Sequence, residues 1–447
     1  MPYDTAPDGV LESLLGHART AGADAADASL SISESLSVDV RMGEFEGVER
    51  SESRSVGLRA FIGKKQAGAT TSDLSPDGLK ALAERVVAMA KFAPEDPWCG
   101  LLDPSERATD FPDLDTHDDA RPDADTLEAM AKDAENAALA VAGVTNSSGA
   151  GASWSAGFVT MRTSDGFSGG SRASSYGVGV SPLAERDGKK ERDWDGHTTR
   201  HFSELRKPAE IGRTAGERAV ARLGSRKIES CKAPVIFENR LAGSMVSPML
   251  GAISGAAIAR GVSFLKEKLG QQVYAKGVNI EDDPFRKRGL SSRPFDGEGA
   301  PGQRRLLIDD GVLTTWLMNA SAARQLGLKS TGHATLGHGG PPGISSTNVT
   351  MMPGQKSLEE LMKDAGKGLL ITDKFSPSLN ANTGDWSVGV SGFWFENGER
   401  AYPVSEITVA GNLLDIFARL IPGSDLERRG GVDAPSVLID DLTIAGV

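Results

Sequence analysis

The sequence predicts an α+β protein, with helices and antiparallel sheet in an N-terminal region and a β-rich C-terminal domain. Residues 29–40 alternate between apolar and polar side chains, as in a half-buried strand. Asp-Gly and Asn-Gly pairs at 165–166, 310–311 and 397–398 lie between apolar runs and are typical of β-hairpin turns. Apolar residues three and four apart, preceded by capping residues, predict the intervening helices.

The N-terminal region is expected in two parts, and the first covers residues 1–95 as an α-β-β-β-β-α unit. Its last helix should begin after Ser75, because Ser is a favoured N-cap and Pro76 suits the first helical turn. The other predicted elements are a helix over 8–22 and strands over 29–40, 45–52, 55–61 and 66–71.

The second part is a middle α+β domain over 124–228, reached through an acidic, Pro-rich connector over 96–123. Asp125 and Glu128 match a capping box for its first helix. The other predicted elements are strands over 151–164 and 167–181, a turn at 187–188, and a helix from Pro208 to Gly224.

The C-terminal domain is expected over 233–447, with peripheral helices around its strands. Two glycine-rich stretches, 289–303 and 331–346, interrupt it, and loops this long in a compact domain are often functional. The predicted elements are strands over 304–309, 312–317, 386–395 and 400–404, and helices over 357–364 and 412–420.

Composition limits the function classes. The 447 residues carry a net charge of −12, which argues against a nucleic-acid surface, since phosphate binding needs clustered Lys and Arg. Two unpatterned cysteines, Cys99 and Cys231, fit a reducing compartment, and residues 1–10 lack a signal-peptide pattern. We therefore expect a cytoplasmic protein.

The segment 241–259 contains no charged or titratable side chain, and small residues recur in it at every fourth position. It is long enough to cross a bilayer, but its glycines, serines and Pro248 make it only weakly hydrophobic. We predict instead a buried helix over 241–261, whose stripe of small residues allows another backbone to approach closely.

Metal-binding motifs are sparse. None of the six histidines is followed by Glu, so the zinc-protease pattern His-Glu-x-x-His is absent from the sequence. His197 and His201 have the spacing of metal ligands on a helix, but two exposed histidines at a strand end or in a loop explain them as well.

The glycine-rich loop 331–346 and the residues after it are the candidate peptide contacts. An extended peptide would bind there by strand addition, through main-chain hydrogen bonds. The alternative is a flexible surface loop without a ligand. The candidate residues are His333, His338, Ser345, Ser346, Thr347 and Asn348.

Several stretches resemble the TldD/PmbA metallopeptidase family, and in particular its PmbA (TldE) branch. The resemblance covers nearly the whole chain, and its matching stretches lie at 55–75, 211–227, 304–334, 345–354 and 393–417. In the TldD branch, the helix that opens the C-terminal domain carries His-Glu-x-x-x-His, and a later Cys completes a zinc site.

The corresponding positions here hold Ser247, Pro248, Gly251 and Ala252, and no cysteine follows Cys231. The resemblance therefore implies a degenerate metal site on the helix 241–261. We assign no catalytic residue, metal ligand or cofactor to this chain, and expect zinc in a TldD-like partner instead.

The resemblance implies a PmbA/TldE-like subunit of a TldD–TldE metallopeptidase that degrades unfolded peptides and matures peptide precursors. The family's older label, modulator of DNA gyrase, fits poorly with direct DNA contact by an acidic chain. Two alternatives stay open. One is a homodimeric peptide-binding or scaffold protein without protease activity, and the other is an independent peptidase that uses His197 and His201.

Overall fold

The computed structural model describes residues 9–447. The first eight residues lie outside this range, so the expectation drawn from residues 1–10 about a signal peptide falls almost entirely outside the described residues. Across residues 9–447, no helix combines the length and the apolar character that a membrane crossing requires.

The N-terminal region contains long strands and four helices within the described residues. The helices are α1 (Val10–Thr20), α2 (Pro76–Phe92), α3 (Ala124–Leu139) and α4 (Pro208–Ala221). The strands are β1 (Ala25–Arg41), β2 (Glu44–Ile62), β3 (Lys65–Thr71), β4 (Val144–Thr163), β5 (Ser168–Arg186), β6 (Lys189–Arg192) and β7 (Asp195–Thr199). The connector and the segment before α4 each contain a short 3-10 turn, Pro104–Glu106 and Phe202–Glu204.

The two expected parts of this region share one antiparallel sheet. Strand β1 pairs with β2 on one side and with β4 on the other, along nearly its whole length. The strand order is β3-β2-β1-β4-β5-β6, and β7 also pairs with β5. The expected strands 45–52 and 55–61 are wrong as separate elements, because both lie in β2, which follows β1 with a single bulge.

Helices cover one face of this sheet and leave the other polar. Leu30 and Ile32 of β1 pack with α1 and α2, while Val38 and Val40 pack with α3 and α4. Burial of each such side chain stabilises the fold by roughly 1.5–3 kcal/mol. Because alternate residues of a strand point to opposite faces, the other side of β1 carries serines. We call this side of the sheet the serine face, after Ser29, Ser31, Ser33, Ser35 and Ser37.

Local capping sets where the helices begin. As predicted, α2 begins after Ser75, whose hydroxyl accepts a hydrogen bond from the Gly78 amide at 3.1 Å. Helix α3 begins after Asp123, which accepts from the Thr126 amide at 2.9 Å. The expected cap at Asp125 is therefore wrong, because Asp123 supplies the same acceptor earlier and Asp125 lies within the first turn.

The C-terminal domain is rich in strands and has peripheral helices, as predicted. Its strands are β8 (Cys231–Phe237), β9 (Ile280–Asp283), β10 (Arg305–Asp309), β11 (Val312–Leu313), β12 (Asn348–Met351), β13 (Lys367–Lys374), β14 (Ser378–Leu379), β15 (Asp385–Glu396), β16 (Glu399–Asn412), β17 (Ile421–Pro422), β18 (Val432–Asp433) and β19 (Val437–Ala445). Its helices are α5 (Asn239–Ala242), α6 (Ser247–Ala252), α7 (Gly255–Ala259), α8 (Ala320–Leu326), α9 (Leu358–Ala365) and α10 (Leu413–Arg419).

Five of these strands close into a barrel. Strand β13 pairs in parallel with β8 and antiparallel with β15, which completes the ring β13-β8-β19-β16-β15. Closure leaves no open edge in the ring, and Phe237, Val390 and Ile439 are fully buried in the domain core. A second sheet, in the order β11-β10-β9-β12-β18, belongs to the same domain.

Candidate functional site

The segment 241–261 is not a continuous helix. It contains the end of α5, a 3-10 turn (Gly243–Met245), α6 and α7. Between α6 and α7, Ser254 has an extended backbone, and the Gly255 amide donates to the Leu317 carbonyl at 2.7 Å. The prediction of one helix is therefore wrong, because a neighbouring segment takes a hydrogen bond that the helix would have used.

The stripe of small residues is divided by these breaks. A Cβ atom on Gly243 would lie 2.6 Å from the Val432 carbonyl oxygen, and one on Gly255 would lie 2.8 Å from Met318 Cγ. These two glycines therefore allow close packing, as predicted. In contrast, Ser247 and Gly251 are exposed, and no described atom lies within 4 Å of a Cβ built on Gly251.

The residues at the degenerate metal position do not fit a zinc ion. The Ser247 hydroxyl donates to the Gly243 carbonyl at 3.1 Å, and Pro248, Gly251 and Ala252 have no ligand atom in their side chains. Zinc sites in proteins use Cys, His, Asp or Glu. Among residues 9–447, no group of three or more such side chains is arranged to hold a metal ion.

His197 and His201 have separate partners. His197 lies in β7, where its Nδ1 accepts from the Arg206 amide at 3.2 Å. His201 precedes a 3-10 turn, and its Nε2 lies 3.0 Å from the carbonyl oxygen and 3.2 Å from the carboxylate of Asp115. Their spacing would bring the two side chains together only on a helix, so the structure does not assemble a metal pair here.

The glycine-rich loop 331–346 packs against the serine face. The His338 ring bridges two strands of the sheet, with Nδ1 2.8 Å from Ser29 Oγ and Nε2 2.8 Å from Ser55 Oγ. Burial lowers the pKa of His338. A neutral ring has one donor and one acceptor nitrogen, and hydroxyls can complement both.

Two glycines of the sheet make room for this loop. A Cβ atom on Gly57 would lie 2.4 Å from the carbonyl carbon of His338, and one on Gly68 would lie 2.2 Å from the carbonyl oxygen of Gly339. Glycine is therefore required at both positions if the loop is to lie against the sheet. The His338 ring therefore joins the C-terminal domain to the sheet, and both of its nitrogens already have a hydroxyl partner.

His333 belongs to a buried polar network. Its Nε2 lies 2.7 Å from Asp282 Oδ2, and its Nδ1 lies 2.8 Å from Thr331 Oγ1. Burial acts to raise the pKa of Asp282, but hydrogen bonds from His333 and Thr347 outweigh it, so that the pKa is lowered. The order Asp-His-Thr resembles a hydrolase triad. However, Thr331 is only 8% exposed and bonds to the Met318 backbone, so a substrate could not reach it.

Two further candidate contacts are structural. Thr347 donates to Asp282 through both its amide and its hydroxyl, and the Asn348 side chain bonds within the domain. His333, Thr347 and Asn348 are 2%, 3% and 1% exposed, so a peptide could contact them only if the surrounding residues moved. Ser345 is exposed and Ser346 half-buried, so these two remain accessible candidates.

A cleft of about 570 Å³ lies on the serine face. It is near the C-terminal end of β1, whereas Ser29 lies near the N-terminal end of that strand. Ser29 and Ser37 are eight residues apart, or roughly 26 Å along a strand. Small residues form most of the floor, and Trp194 and Arg429 stand at the side. The hydroxyls on the floor can donate to or accept from a peptide backbone. The floor residues are Ser37, Gly151, Ser153, Gly177, Gly179, Gly196 and Thr198.

An adjoining cleft of about 380 Å³ shares Asp39 and Gly151 with the first. It is lined by the carboxylates of Asp39 and Glu46 and by no cation. Neither carboxylate has an ion pair or a hydrogen bond within residues 9–447. The paired clefts therefore have an electronegative end that suits a basic group.

An ion-pair network fixes the side of the cleft. Asp193 accepts from Arg240, with Nη1 to Oδ1 at 2.7 Å and Nη2 to Oδ2 at 3.2 Å. Asp195 accepts from Arg206 and Arg218 at 2.9 and 3.1 Å. Trp194 lies between these two buried aspartates in the sequence. The ion pairs of its neighbours therefore fix the position of its exposed indole ring.

Family models match the chain along most of its length. They are the PmbA/TldA metallopeptidase domain 1 over residues 26–90, the central domain over 117–223 and the C-terminal domain over 230–446. The chain is 36% identical over 426 residues to Metalloprotease PmbA of Escherichia coli O157:H7, covering 95% of this chain and 92% of that protein. It is also 36% identical over 431 residues to the Metalloprotease PmbA homolog of Haemophilus influenzae, covering 96% and 94%.

Solved structures share the fold. A protein from Bacteroides thetaiotaomicron VPI-5482, described as a modulator of DNA gyrase, is similar with a TM-score of 0.91 at 25% identity, over 98% of both chains. TldE from Thermococcus kodakarensis is similar with a TM-score of 0.88 at 18% identity, over 98% of this chain and 100% of that one. At that identity, the second likeness concerns the fold alone.

Sequence reasoning missed the cleft on the serine face. The alternating serines of residues 29–37 were a signal, but they predict only a solvent-facing side of a strand. Trp194 and Arg429 had no signal, because they reach the cleft from segments far apart in the chain.

Proposed function

This chain belongs to the PmbA/TldD metallopeptidase family, in its PmbA branch, and we propose that it is the subunit without a zinc site in a two-protein metallopeptidase. One observation carries the proposal: the positions of the family's metal motif hold Ser247, Pro248, Gly251 and Ala252, which do not fit the ion. A TldD-like partner then holds the zinc and cleaves unfolded peptides, including peptide precursors.

The packing of segment 241–261 supports a subunit that has a structural role and no zinc site. Gly243 and Gly255 make close contacts with neighbouring backbone and side chains, so the segment retains a structural role. Ser247 and Gly251 face outward with small side chains. Such a surface leaves room for a peptide or a partner without contributing a ligand, an acid or a base.

The serine face is our proposed surface for an extended peptide. Its floor of Ser and Gly can follow a main chain without selecting a side chain, and Asp39 and Glu46 favour a basic segment. The chain's own loop already lies against this face, with its backbone at Gly57 and Gly68. Ser345 and Ser346, near the end of that loop, stay proposed peptide contacts.

Exposed apolar side chains support a protein partner. Met42, Phe45 and Val48 at the tip of the β1–β2 hairpin are 47%, 50% and 53% exposed. Grouped apolar residues of this kind mark interaction surfaces. Light scattering on the chain alone, and after addition of a TldD-like chain, would distinguish a heterodimer from the alternative of a homodimeric scaffold.

The test of the proposal is a comparison of the chain alone with the reconstituted pair. We expect the purified chain to contain no stoichiometric zinc and to cleave no unfolded peptide, and we expect cleavage once the TldD-like chain is added. Stoichiometric zinc together with chelator-sensitive cleavage by the chain alone would contradict the proposal. The double variant His197→Gln, His201→Gln tests the alternative of an independent peptidase. If that alternative held, cleavage by the chain alone would depend on these two histidines and would be lost in the variant.

The cytoplasm remains the proposed compartment. Cys99 and Cys231 are both free thiols, which suits a reducing environment. Fractionation of the native cell, with the chain detected by antibody, would test this placement.

A further inference from the structure

A separate cleft of about 390 Å³ lies between α4 of the N-terminal region and the C-terminal barrel. It shares no lining residue with the 570 Å³ cleft on the serine face. Thr214, Glu217, Arg218 and Ala221 line it from α4, while Thr372, Phe393 and Arg400 line it from barrel strands. A volume of this size accommodates a small molecule rather than a folded partner.

The cleft contains a buried hydroxyl that lacks a partner. Thr372 is 4% exposed, and its Oγ1 has no hydrogen bond within the described residues. It is the extra residue of a bulge in β13, since Ile371 pairs with Gly392 and Asp373 pairs with Ser391. Bulges turn side chains toward sites that a regular strand would not reach. A buried hydroxyl is normally satisfied, so a group within the cleft is its expected partner.

The cleft also offers an unpaired anion. Glu217 is exposed on α4, and its carboxylate has no ion pair or hydrogen bond in the part of the chain that the structure describes. The neighbouring Arg218 already forms an ion pair with Asp195, with 3.1 Å between Nη1 and Oδ1. Glu217 is therefore available to a cation that enters the cleft.

The cleft also contains Arg400, a cation that can donate further hydrogen bonds. Arg400 lies 3.9 Å from Glu238, beyond hydrogen-bond distance, and its guanidinium stands 5.0 Å from the centre of the Phe393 ring. Arg240 differs, because it donates to Asp193, Glu238 and the Thr372 carbonyl. The Arg400 guanidinium can therefore donate to an acceptor on a ligand.

We propose that this cleft binds a small zwitterion of the α-amino acid class, either a free amino acid or a short peptide with both ends charged. Its ammonium group pairs with Glu217, its carboxylate pairs with Arg400, and the Thr372 hydroxyl bonds to a polar atom between them. Phe393 and Ala221 supply an apolar wall that favours an aliphatic side chain.

A simple anion suits the cleft less well. Asp193, Glu217 and Glu238 line the same space as the arginines, so the lining has both signs of charge. A ligand that carries both charges on one small molecule matches it better. Because the cleft spans α4 and the barrel, the bound ligand also stabilises the contact between the two parts of the chain.

The test is calorimetric titration of the full chain with L-leucine, with L-leucyl-L-alanine, and with N-acetyl-L-leucine amide, which lacks both charges. We expect the first, the second or both to bind, and the blocked compound not to bind at the same concentration. Comparison of leucine with the dipeptide identifies which source of the zwitterion the cleft prefers.

Two variants assign the binding to this cleft. Glu217→Gln removes the ammonium partner, and Thr372→Val removes the hydroxyl while keeping its shape. Each should weaken binding by about tenfold or more, the usual loss for a hydrogen bond to a charged group or for a buried one. Glu210→Gln, at the exposed start of α4 and outside the cleft, should bind like the original chain.

The proposal is overturned if neither charged ligand gives heat at millimolar concentration, or if the blocked compound binds equally well. It is also overturned if Glu217→Gln and Thr372→Val, shown by circular dichroism to be folded, bind with unchanged affinity. None of these measurements involves zinc or a partner chain, so failure here is separable from failure of the proposed subunit role.

Discussion

Arg240 and Asp193 form a buried ion pair that joins the two halves of the chain, with side chains only 2% and 3% exposed. Arg240 lies in α5 of the C-terminal domain, and Asp193 precedes β7 of the N-terminal sheet. Burial alone would lower the pKa of Arg240, but hydrogen bonds and charge from Asp193 and Glu238 raise it. The guanidinium is therefore charged at every accessible pH and depends on these carboxylates.

Replacement of Arg240 by Leu should destabilise the chain by about 3–5 kcal/mol, because Asp193 would be left as a buried charge without this partner. Urea unfolding measures the change. Lys232→Ala is the matched control, since Lys232 and Asp441 are 66% and 62% exposed and 3.9 Å apart. The control should stay within about 0.5 kcal/mol. Equal losses in the two variants would count against a structural role for the buried pair.

Gly57→Ala should displace the glycine-rich loop from the sheet. Its Cβ atom would lie 2.4 Å from the carbonyl carbon of His338, a contact that backbone cannot accept without moving. We expect a loss of roughly 1–3 kcal/mol and faster hydrogen exchange in residues 335–343. Gly47→Ala, on the same strand with no described atom within 4 Å, is the control. Unchanged exchange in Gly57→Ala would show that the loop does not depend on this contact.

Glu298 should make stability fall as pH rises toward 8. It is 5% exposed and accepts from the Ala320 amide at 2.7 Å. Burial, together with the charge of Asp296, raises its pKa from 4.5 to about 7. Between these two values the folded chain holds a proton that the unfolded chain has lost, so the free energy of unfolding decreases as pH increases.

Glu298→Gln should remove that decrease, because the amide mimics the protonated acid. The variant should match the original chain near pH 4, below the unfolded pKa of 4.5, and exceed it at pH 8 by a free energy on the order of 3 kcal/mol. Urea unfolding at both pH values measures the difference. Glu267→Gln, at an exposed position, should leave the pH profile as it is. Parallel profiles for Glu298→Gln and the original chain would refute the prediction.

Ser153→Phe should block the cleft on the serine face. Ser153 lies on its floor, so a ring there would occupy the space that we propose for a peptide. We expect peptide cleavage by the reconstituted pair to fall at least tenfold, with little change in stability. Ser13→Phe, exposed on α1 at the opposite face of the sheet and outside the cleft lining, should have no comparable effect on the rate. Full activity of Ser153→Phe would exclude the cleft from the peptide path.

Local features of the fold could be predicted because their causes are local. The Ser75 cap and the alternation over 29–40 each depend on residues close together in the chain. The Asp310-Gly311 and Asn397-Gly398 hairpins are confirmed for the same reason, since both residues of each pair take positive φ angles. The continuous sheet and the closed barrel could not be predicted in this way, because pairings such as β1 with β4 and β13 with β15 join distant segments.

The absence of zinc ligands at the family's metal position was determined by the sequence alone. The side chains there cannot serve as zinc ligands in any conformation; the residues are Ser247, Pro248, Gly251 and Ala252. The position of loop 331–346 was decided only by the tertiary structure. His338 is 309 residues from Ser29, and its hydrogen bond depends on space created by Gly57 and Gly68. No local pattern contains that information, since the free energy of the contact arises only when the C-terminal domain and the N-terminal sheet are assembled.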